Sequence, residues 1–311
     1  MTPAFKHWVL AARPRTLPAA VTPVVVGSAV AYAEAAFAWL PALLCLVFAL
    51  LIQIAANFAN DYFDAKSGAD NAERVGPTRA VAAGLISPRA MWRGTVATLA
   101  AAFLVGCGLI PFGGWWLIAV GILSILCALA YTGGPYPLGY HGWGDVFVIL
   151  FFGLVAVVFT HYVQAGQVSA AAGWLGLGCG LVIDNLLVVN NVRDEATDRA
   201  AGKRTVVVRF GHGFGLWLYR MNFAGAWLCV YVAVRSLLGW DFWQPVLAVI
   251  ALPGLVYLIL GSVNERRLRK AETPEAYGRV LKFAAMDVIR YGALVTVLII
   301  GIIWKLRGGT A

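Results

Sequence analysis

Nine apolar runs are the feature that most restricts what this chain can fold into. They lie near residues 16–35, 39–59, 91–110, 114–132, 145–164, 173–191, 214–234, 243–262 and 287–304. A helix needs about 20 apolar residues to cross a bilayer, so nine such helices would take up about 180 residues. Since 61% of the 311 residues are hydrophobic, the sequence predicts an all-α integral membrane protein, with residues 1–311 forming a single transmembrane domain.

Composition excludes several other classes of protein. Soluble domains contain about 45–50% apolar and about 25% charged residues, whereas only 13% of this chain is charged. An ordinary cytosolic enzyme, a disordered tail and a secreted disulfide scaffold are therefore excluded. The five cysteines all lie in apolar runs, with no CxxC pair and no metal-ligand spacing. We interpret them as small buried hydrophobic residues.

The distribution of positive charge predicts the orientation of the chain. The net charge is +9, and all but three of the 24 lysines and arginines lie on or near one side of the predicted spans, together with the N-terminus. Only Arg235, Lys305 and Arg307 lie on the other side. Cytoplasmic loops carry such an excess, so the N-terminus and the loops at 60–90 and 190–213 are predicted to be cytoplasmic. This explains the charge without nucleic acid. The first 15 residues are predicted to form an amphipathic helix at the membrane surface.

The second predicted span ends in a cluster of amide and carboxylate side chains. Asn57, Asn60, Asp61 and Asp64 follow the spacing i, i+3, i+4, i+7, which lies on one face of a helix. Gln53 extends this face one turn deeper into the predicted span. We call residues 57–70 the first Asp-rich segment.

The sixth predicted span ends in a similar way. Asn190, Asp194 and Asp198 follow the spacing i, i+4, i+8 within what we call the second Asp-rich segment, residues 190–205. Like charges four residues apart destabilise a helix, and carboxylates at a membrane boundary are costly, so a bound cation is expected. Converging oxygen atoms favour Mg²⁺, which binds through a few carboxylates and phosphate oxygens. The four histidines are scattered, which argues against zinc.

Basic residues follow both segments. Lys66, Arg74 and Arg79 come after the first cluster, and Lys203 and Arg204 after the second. Carboxylates that hold Mg²⁺, next to lysine and arginine, are what a diphosphate site needs. The alternative is that these are solvated helix ends with cations that only set the topology. This alternative is a reasonable explanation for a single cluster. It explains less well why two such clusters lie on corresponding spans at the same membrane face.

These two segments resemble the UbiA superfamily of intramembrane prenyltransferases. Members have nine helices around a central cavity and two Asp-rich motifs that bind Mg²⁺ and a prenyl diphosphate. The form ND-Y-x-D of the first motif and the sequence YTGGPYPLGY resemble the branch that acts on 1,4-dihydroxy-2-naphthoate in menaquinone biosynthesis, an activity of the bacterial inner membrane. The stretches that carry the resemblance are 12–29, 60–70, 76–88, 131–153 and 190–211.

The resemblance implies roles for individual residues. One Mg²⁺ would be bound by Asn60, Asp61, Asp64 and Asp70, and a second by Asn190, Asp194 and Asp198. The diphosphate would be bound by Lys66, Arg79, Lys203 and Arg204. The residues expected to be catalytic are Asp64, Asp194, Lys66 and Lys203.

The resemblance also implies an activity. A polyprenyl group would pass from polyprenyl diphosphate to 1,4-dihydroxy-2-naphthoate with loss of CO₂ and diphosphate, giving demethylmenaquinol. The partners would be these two substrates and the lipid bilayer. Another aromatic acceptor, such as 4-hydroxybenzoate or homogentisate, stays open. So does a secondary transporter, although transporter sites lie near the membrane midplane on broken helices, whereas these clusters lie at one surface.

Five further polar residues lie within or beside the apolar runs. Tyr131, Tyr136 and His161 are candidates for an aromatic pocket, because polar groups in membrane spans often face a cavity. Asp145 would open the fifth span, where a carboxylate favours a helix N-terminus. Asp184 lies near the middle of the sixth span, and the resemblance assigns it no role.

Overall fold

The computed structural model describes residues 2–68, 76, 79–238 and 243–308. Within these ranges the regular structure is entirely helical, which confirms the predicted all-α fold. The helices are α1 (Pro3–Ala12), α2 (Pro18–Ala33), α3 (Trp39–Ser67), α4 (Pro88–Cys107), α5 (Ile110–Gly113), α6 (Leu117–Ala130), α7 (Gly144–Val148), α8 (Ala156–Ala165), α9 (Ala170–Arg193), α10 (Glu195–Ala200), α11 (Val206–Phe210), α12 (His212–Leu238), α13 (Trp243–Arg269) and α14 (Pro274–Gly308).

Among the described residues, six helical stretches are long and apolar enough to cross a membrane. They are α3, α4, the continuous stretch from α7 to α8, α9, α12 and α14. A seventh is added if α1 and α2, which are bent by 49° relative to each other, count as one span. The protein is therefore a multi-pass membrane protein. The helices α6 and α13 occupy the places of two more predicted runs, and the exact count of nine stays a prediction.

Local backbone geometry determines where the Asp-rich helices end. Helix α3 continues through the whole of the first cluster and ends at Gly68, whose φ of 75° lies in the left-handed region that glycine adopts without strain. Helix α9 ends earlier than the spacing predicted, because Asp194 leaves helical geometry (φ −96°, ψ 10°) and α10 begins at the next residue. Asn190, Asp194 and Asp198 therefore do not lie on one continuous helix. Both segments predicted as loops contain helical structure.

Helix α9 lies at the centre of the bundle. It packs against α2, α12, α14 and the π-helical turn Ile149–Val155 that joins α7 to α8. Glycines allow the closest approach: a Cβ on Gly180 of α9 would lie 2.6 Å from the Ile149 carbonyl oxygen, and a Cβ on Gly153 would lie 2.6 Å from the Gly180 Cα. Helix α3 packs mainly against α4. The two Asp-rich segments are thus presented by helices from different parts of the bundle.

This contact generates a stability prediction. Gly180→Ala would push α9 away from Ile149, and overpacking of this kind costs about 1–3 kcal/mol. Gly173→Ala, also on α9, is the matched control, because a Cβ at Gly173 would meet no neighbouring atom within 4 Å. We expect a lower melting temperature in detergent for Gly180→Ala and no loss for Gly173→Ala. Equal melting temperatures for the two variants would contradict the close packing.

Candidate active site

One large cavity is lined at its polar end by side chains from both Asp-rich segments. Its volume is about 1180 Å³. The rest of its wall is largely apolar, with side chains such as Phe48, Leu117, Phe151, Phe159 and Val163. The polar end is formed by Asn60, Asp61, Asp64, Asn190, Asp194 and Asp198. The cavity therefore offers a charged end joined to a largely apolar compartment.

Asn60 and Asp64 of the first segment line this cavity one helical turn apart. The Thr132 hydroxyl donates a hydrogen bond to Asn60 Oδ1 over 2.7 Å. The Tyr140 hydroxyl donates to Asp64 Oδ1 over 2.9 Å, and Arg79 donates to Asp64 Oδ2 over 3.3 Å. Asp64 is buried, and its carboxylate forms an ion pair with the Arg79 guanidinium and accepts a hydrogen bond from the Tyr140 phenol.

Asp61 has a different environment. Its Oδ2 accepts a hydrogen bond from the Ala80 backbone N–H over 3.0 Å, and its Oδ1 accepts one from the Val81 N–H over 3.1 Å. Asp61 is 1% exposed, and both of its carboxylate oxygens bind the backbone of the loop that precedes α4. The role as a metal ligand stays a prediction for Asp61, whereas the contact with the loop is observed.

In the second segment, Asp194 pairs with the residue before it. Arg193 donates from Nε and from Nη2 to the two carboxylate oxygens of Asp194, over 2.7 and 2.5 Å. Asp198, in α10, also lines the cavity. Burial raises the pKa of Asp198 to about 6, although the nearby Lys203 acts in the opposite direction. A buried carboxylate with a raised pKa gains most from an additional cation.

Lys203 joins the two segments into one site. Its Nζ lies 3.8 Å from Asp64 Oδ1 and 3.6 Å from Asp198 Oδ1. The ammonium also lies 4.5 Å from the ring centroid of Tyr140, within the range of a cation–π interaction. The Arg204 backbone N–H donates to the Tyr140 carbonyl over 2.7 Å, which fixes the second segment beside the turn Leu138–His141.

The chemistry of the available donors fits a hard divalent cation. Three residues with carboxylate groups, Asp64, Asp194 and Asp198, and two with amide groups, Asn60 and Asn190, line the cavity. Within the described ranges, no three His, Cys, Asp or Glu side chains are grouped closely enough to hold a metal ion by themselves. Mg²⁺ is commonly bound by one or two carboxylates with water and substrate phosphates. The donor set therefore fits an ion whose remaining ligands come from a phosphorylated substrate.

The predicted cations have different locations. Arg79 and Lys203 line the cavity, whereas the side chains of Lys66 and Arg204 are exposed and do not line it. Asp70 and Arg74 lie outside the described residues. The role in diphosphate binding stays a prediction for Lys66, Arg79, Lys203 and Arg204. The geometry supports this role best for Arg79 and Lys203, which line the cavity.

Three residues beside the Asp-rich clusters were missed by the sequence analysis. Thr132 and Tyr140 come from a loop about 70 residues from the first segment, so only the fold brings them there. Arg193 could have been found from its position within the second motif. Further missed residues on the cavity wall come from the N-terminal segment; they include Lys6, Arg13, Arg15 and Thr16. Gln53, which the spacing placed on the same face of α3 as the first cluster, also lines the cavity.

The candidates for an aromatic pocket separate in the structure. Tyr131 lines the cavity. Tyr136 does not line it; this side chain is 53% exposed and stacks on His141. His161 is buried away from the cavity and lies 2.8 Å from Glu34 Oε2. Only Tyr131 is therefore placed where it could contact a substrate.

Asp145 and Asp184, the two aspartates that the sequence places within or beside apolar runs, do not line the cavity. Asp145 lies in the first turn of α7, as predicted for a carboxylate at a helix N-terminus. Asp184 is fully buried and accepts a hydrogen bond from Asn222 over 3.0 Å. This contact connects α9 to α12.

The chain belongs to the UbiA prenyltransferase family, whose model matches residues 20–280. It is 42% identical over 237 residues to the 1,4-dihydroxy-2-naphthoate octaprenyltransferase of Mycobacterium tuberculosis, covering 75% of this chain and 80% of that protein. The Escherichia coli protein of the same name is 37% identical over 245 residues, covering 76% of this chain and 80% of that protein. These relatives confirm the resemblance inferred from the motifs.

Solved structures support the same fold. A UbiA homolog from Archaeoglobus fulgidus, bound to DMAPP and Mg²⁺, superposes with a TM-score of 0.65. The alignment covers 93% of this chain and 99% of that chain at 15% sequence identity. At this identity the similarity shows the fold alone.

The hydrogen bonds of Asp61 generate a prediction that separates a structural role from metal binding. Asp61→Ala would leave two buried N–H groups without their acceptor, at about 1–3 kcal/mol each. We expect faster hydrogen exchange at Ala80 and Val81 and a lower melting temperature, with or without Mg²⁺. Asp64→Ala is the control, because the Asp64 carboxylate accepts from side chains. Unchanged exchange in Asp61→Ala would contradict the structural role.

Proposed function

We propose that the protein transfers a polyprenyl group from polyprenyl diphosphate to 1,4-dihydroxy-2-naphthoate, with loss of CO₂ and diphosphate, giving demethylmenaquinol. The observation that carries the proposal is the position of Lys203 between Asp64 and Asp198, at the charged end of an apolar cavity. A polyprenyl diphosphate has the matching form, an anionic head and an apolar tail. The names of the bacterial relatives support the naphthoate as acceptor.

The charged end would bind the diphosphate. Arg79, Arg193 and Lys203 all line the cavity, and such groups bind phosphate oxygens through charge-assisted hydrogen bonds. Mg²⁺, bound by the oxygen ligands of the two segments, would neutralise the diphosphate and stabilise it as a leaving group. The donor set consists of Asn60, Asp64, Asn190, Asp194 and Asp198, with Asp61 and Asp70 as the further predicted members.

The apolar compartment would hold the prenyl tail and exclude water. As the allylic C–O bond breaks, its electron pair goes to the diphosphate, and the allylic carbon becomes strongly electrophilic. Water near this carbon would produce a prenyl alcohol, so the side chains of Phe48, Phe151, Phe159 and Leu186 around the cavity protect it from hydrolysis.

The acceptor would complete the reaction without an added base at the reacting carbon. The ring carbon that bears the carboxylate forms the new C–C bond to the allylic carbon. CO₂ then departs and leaves its bonding electron pair in the ring, which restores aromaticity. The protein's task at this step is to hold the ring beside the allylic carbon in a dry site.

The location of the site favours an enzyme over a secondary transporter. Helix α3 runs unbroken past Asn60 and Asp64 to Ser67, and the clustered side chains of both segments line one end of the cavity. Transporter sites are typically formed by broken helices near the midplane. The distribution of lysine and arginine supports a cytoplasmic position for the Asp-rich end, and the bacterial origin of the relatives supports the bacterial inner membrane as its location.

The experiment is a prenylation assay on membranes that contain the protein, a long polyprenyl diphosphate and Mg²⁺. We expect product with 1,4-dihydroxy-2-naphthoate, none with 4-hydroxybenzoate, and none after EDTA. Asp64→Ala and Asp194→Ala should each reduce turnover by roughly 100-fold or more, the scale of losing a transition-state contact. Glu195→Ala is the matched control, because Glu195 is adjacent to Asp194 but does not line the cavity.

The outcomes of this assay separate the alternatives. Product from 4-hydroxybenzoate alone would support the metal–diphosphate chemistry but would show that the acceptor is not the naphthoate. Near-normal turnover by Asp64→Ala or Asp194→Ala would contradict the assignment of the charged end.

A further inference from the structure

A second polar region lies deeper in the cavity than the Asp-rich end. Gln53 precedes Asn60 by seven residues on α3, which places it about 10 Å further into the membrane at about 1.5 Å per residue. Its side chain lines the cavity and is 7% exposed. The proposed diphosphate chemistry makes no use of this residue, so its polar group needs a separate explanation.

Hydrogen bonds fix the orientation of the Gln53 amide. The Thr16 hydroxyl donates its single proton to the Arg13 carbonyl over 3.0 Å. Thr16 Oγ1 must therefore act as acceptor toward its other neighbours. It accepts from Gln53 Nε2 over 3.0 Å and from Asn57 Nδ2 over 3.1 Å. Since the Gln53 nitrogen is held by Thr16, the amide oxygen is the group left for other partners.

That oxygen lacks a partner in the part of the protein that is described. Gln53 Oε1 is buried and accepts no hydrogen bond from any described protein group. Buried side-chain oxygens are hydrogen-bonded in the large majority of cases. A preoriented acceptor that lines a substrate cavity is suited to an O–H group of a ligand.

The surrounding charge indicates which ligand this is. Arg13 and Arg15, from the turn that carries Thr16, also line the cavity, and their positive charge favours an anionic molecule. A neutral amide oxygen repels a carboxylate but accepts a hydrogen bond from a ring hydroxyl. The prenyl tail offers no donor of this kind. A hydroxylated aromatic acid matches both features.

We propose that Gln53 Oε1 binds a ring hydroxyl of the aromatic acceptor and thereby selects hydroxylated acceptors. This inference rests on the proposed function, because it presumes that the acceptor is a hydroxylated aromatic acid. It names a substrate-binding residue and a position for the ring. The ring lies between the level of Asn60, near the diphosphate, and the level of Gln53.

The experiment measures steady-state kinetics of the full-length protein in lipid nanodiscs with a polyprenyl diphosphate and Mg²⁺. Gln53→Leu removes the acceptor oxygen. Gln164→Leu is the matched control, because Gln164 is outside the cavity and its amide is bonded to Ser28, Thr160 and Ala38. We expect Gln53→Leu to raise the KM for 1,4-dihydroxy-2-naphthoate roughly 10- to 100-fold, as for a lost substrate hydrogen bond. The KM for the donor should stay unchanged in both variants.

Two inhibitors identify the contact. The acids 1-hydroxy-2-naphthoate and 4-hydroxy-2-naphthoate each lack one hydroxyl of the acceptor. In the wild type, one of them should bind roughly tenfold or more weakly than the parent, and its inhibition constant should not change in Gln53→Leu, since the hydroxyl that Gln53 binds is already missing. The other should weaken in the variant as the parent does. This wild-type comparison stands even if Gln53→Leu does not fold.

Several results would overturn the inference. These are an unchanged acceptor KM in folded Gln53→Leu, equal weakening of the parent and both analogues, or wild-type protein that binds all three acids equally. Wild-type protein that fails to prenylate the naphthoate but prenylates 4-hydroxybenzoate would contradict only the proposed acceptor. The same comparison is then made with 4-hydroxybenzoate and benzoate, which lacks the hydroxyl.

Discussion

The ammonium group of Lys203, held between Asp64 and Asp198, is the contact on which the organisation of the site depends. The two carboxylates come from helices in different parts of the bundle, and they would repel each other in a cavity with little water. Two further ion pairs compensate negative charge at the site: Arg79 pairs with Asp64, and Arg193 pairs with Asp194. The same cations are suited to a diphosphate. The phosphate oxygens of a substrate can therefore take the place of the carboxylate oxygens that these cations now contact.

Helical spacing was sufficient to predict one part of this site and insufficient for another. Asn60 and Asp64 lie one turn apart on α3, so periodicity alone placed them on one face. Lys66 lies two residues after Asp64, and side chains two apart on a helix do not share a face; it is exposed. Lys203 faces the cavity because the chain folds back after α10, where Gly202 has a φ of 74° and the Lys203 N–H donates to the Asp198 carbonyl.

Contacts between distant parts of the chain could not be predicted from the sequence. Asp61 matches the metal-ligand pattern, yet its oxygens accept backbone N–H groups some 20 residues away. Tyr140 reaches Asp64 across 76 residues. The break at Asp194 was also missed, because regular i, i+4 spacing continues across it. The number of spans is similarly ambiguous, since apolar runs do not show whether α1 and α2 act as one bent element.

The number of metal ions bound per chain shows whether the two Asp-rich segments form one metal–diphosphate site. Mn²⁺ can replace Mg²⁺ as a paramagnetic probe, with a non-hydrolysable polyprenyl diphosphate analogue added to purified protein. We predict two bound Mn²⁺ ions per chain in the presence of the analogue, and fewer in both Asp64→Ala and Asp194→Ala. Two bound ions in either variant, or binding that is independent of the analogue, would show that the two segments do not form one metal–diphosphate site.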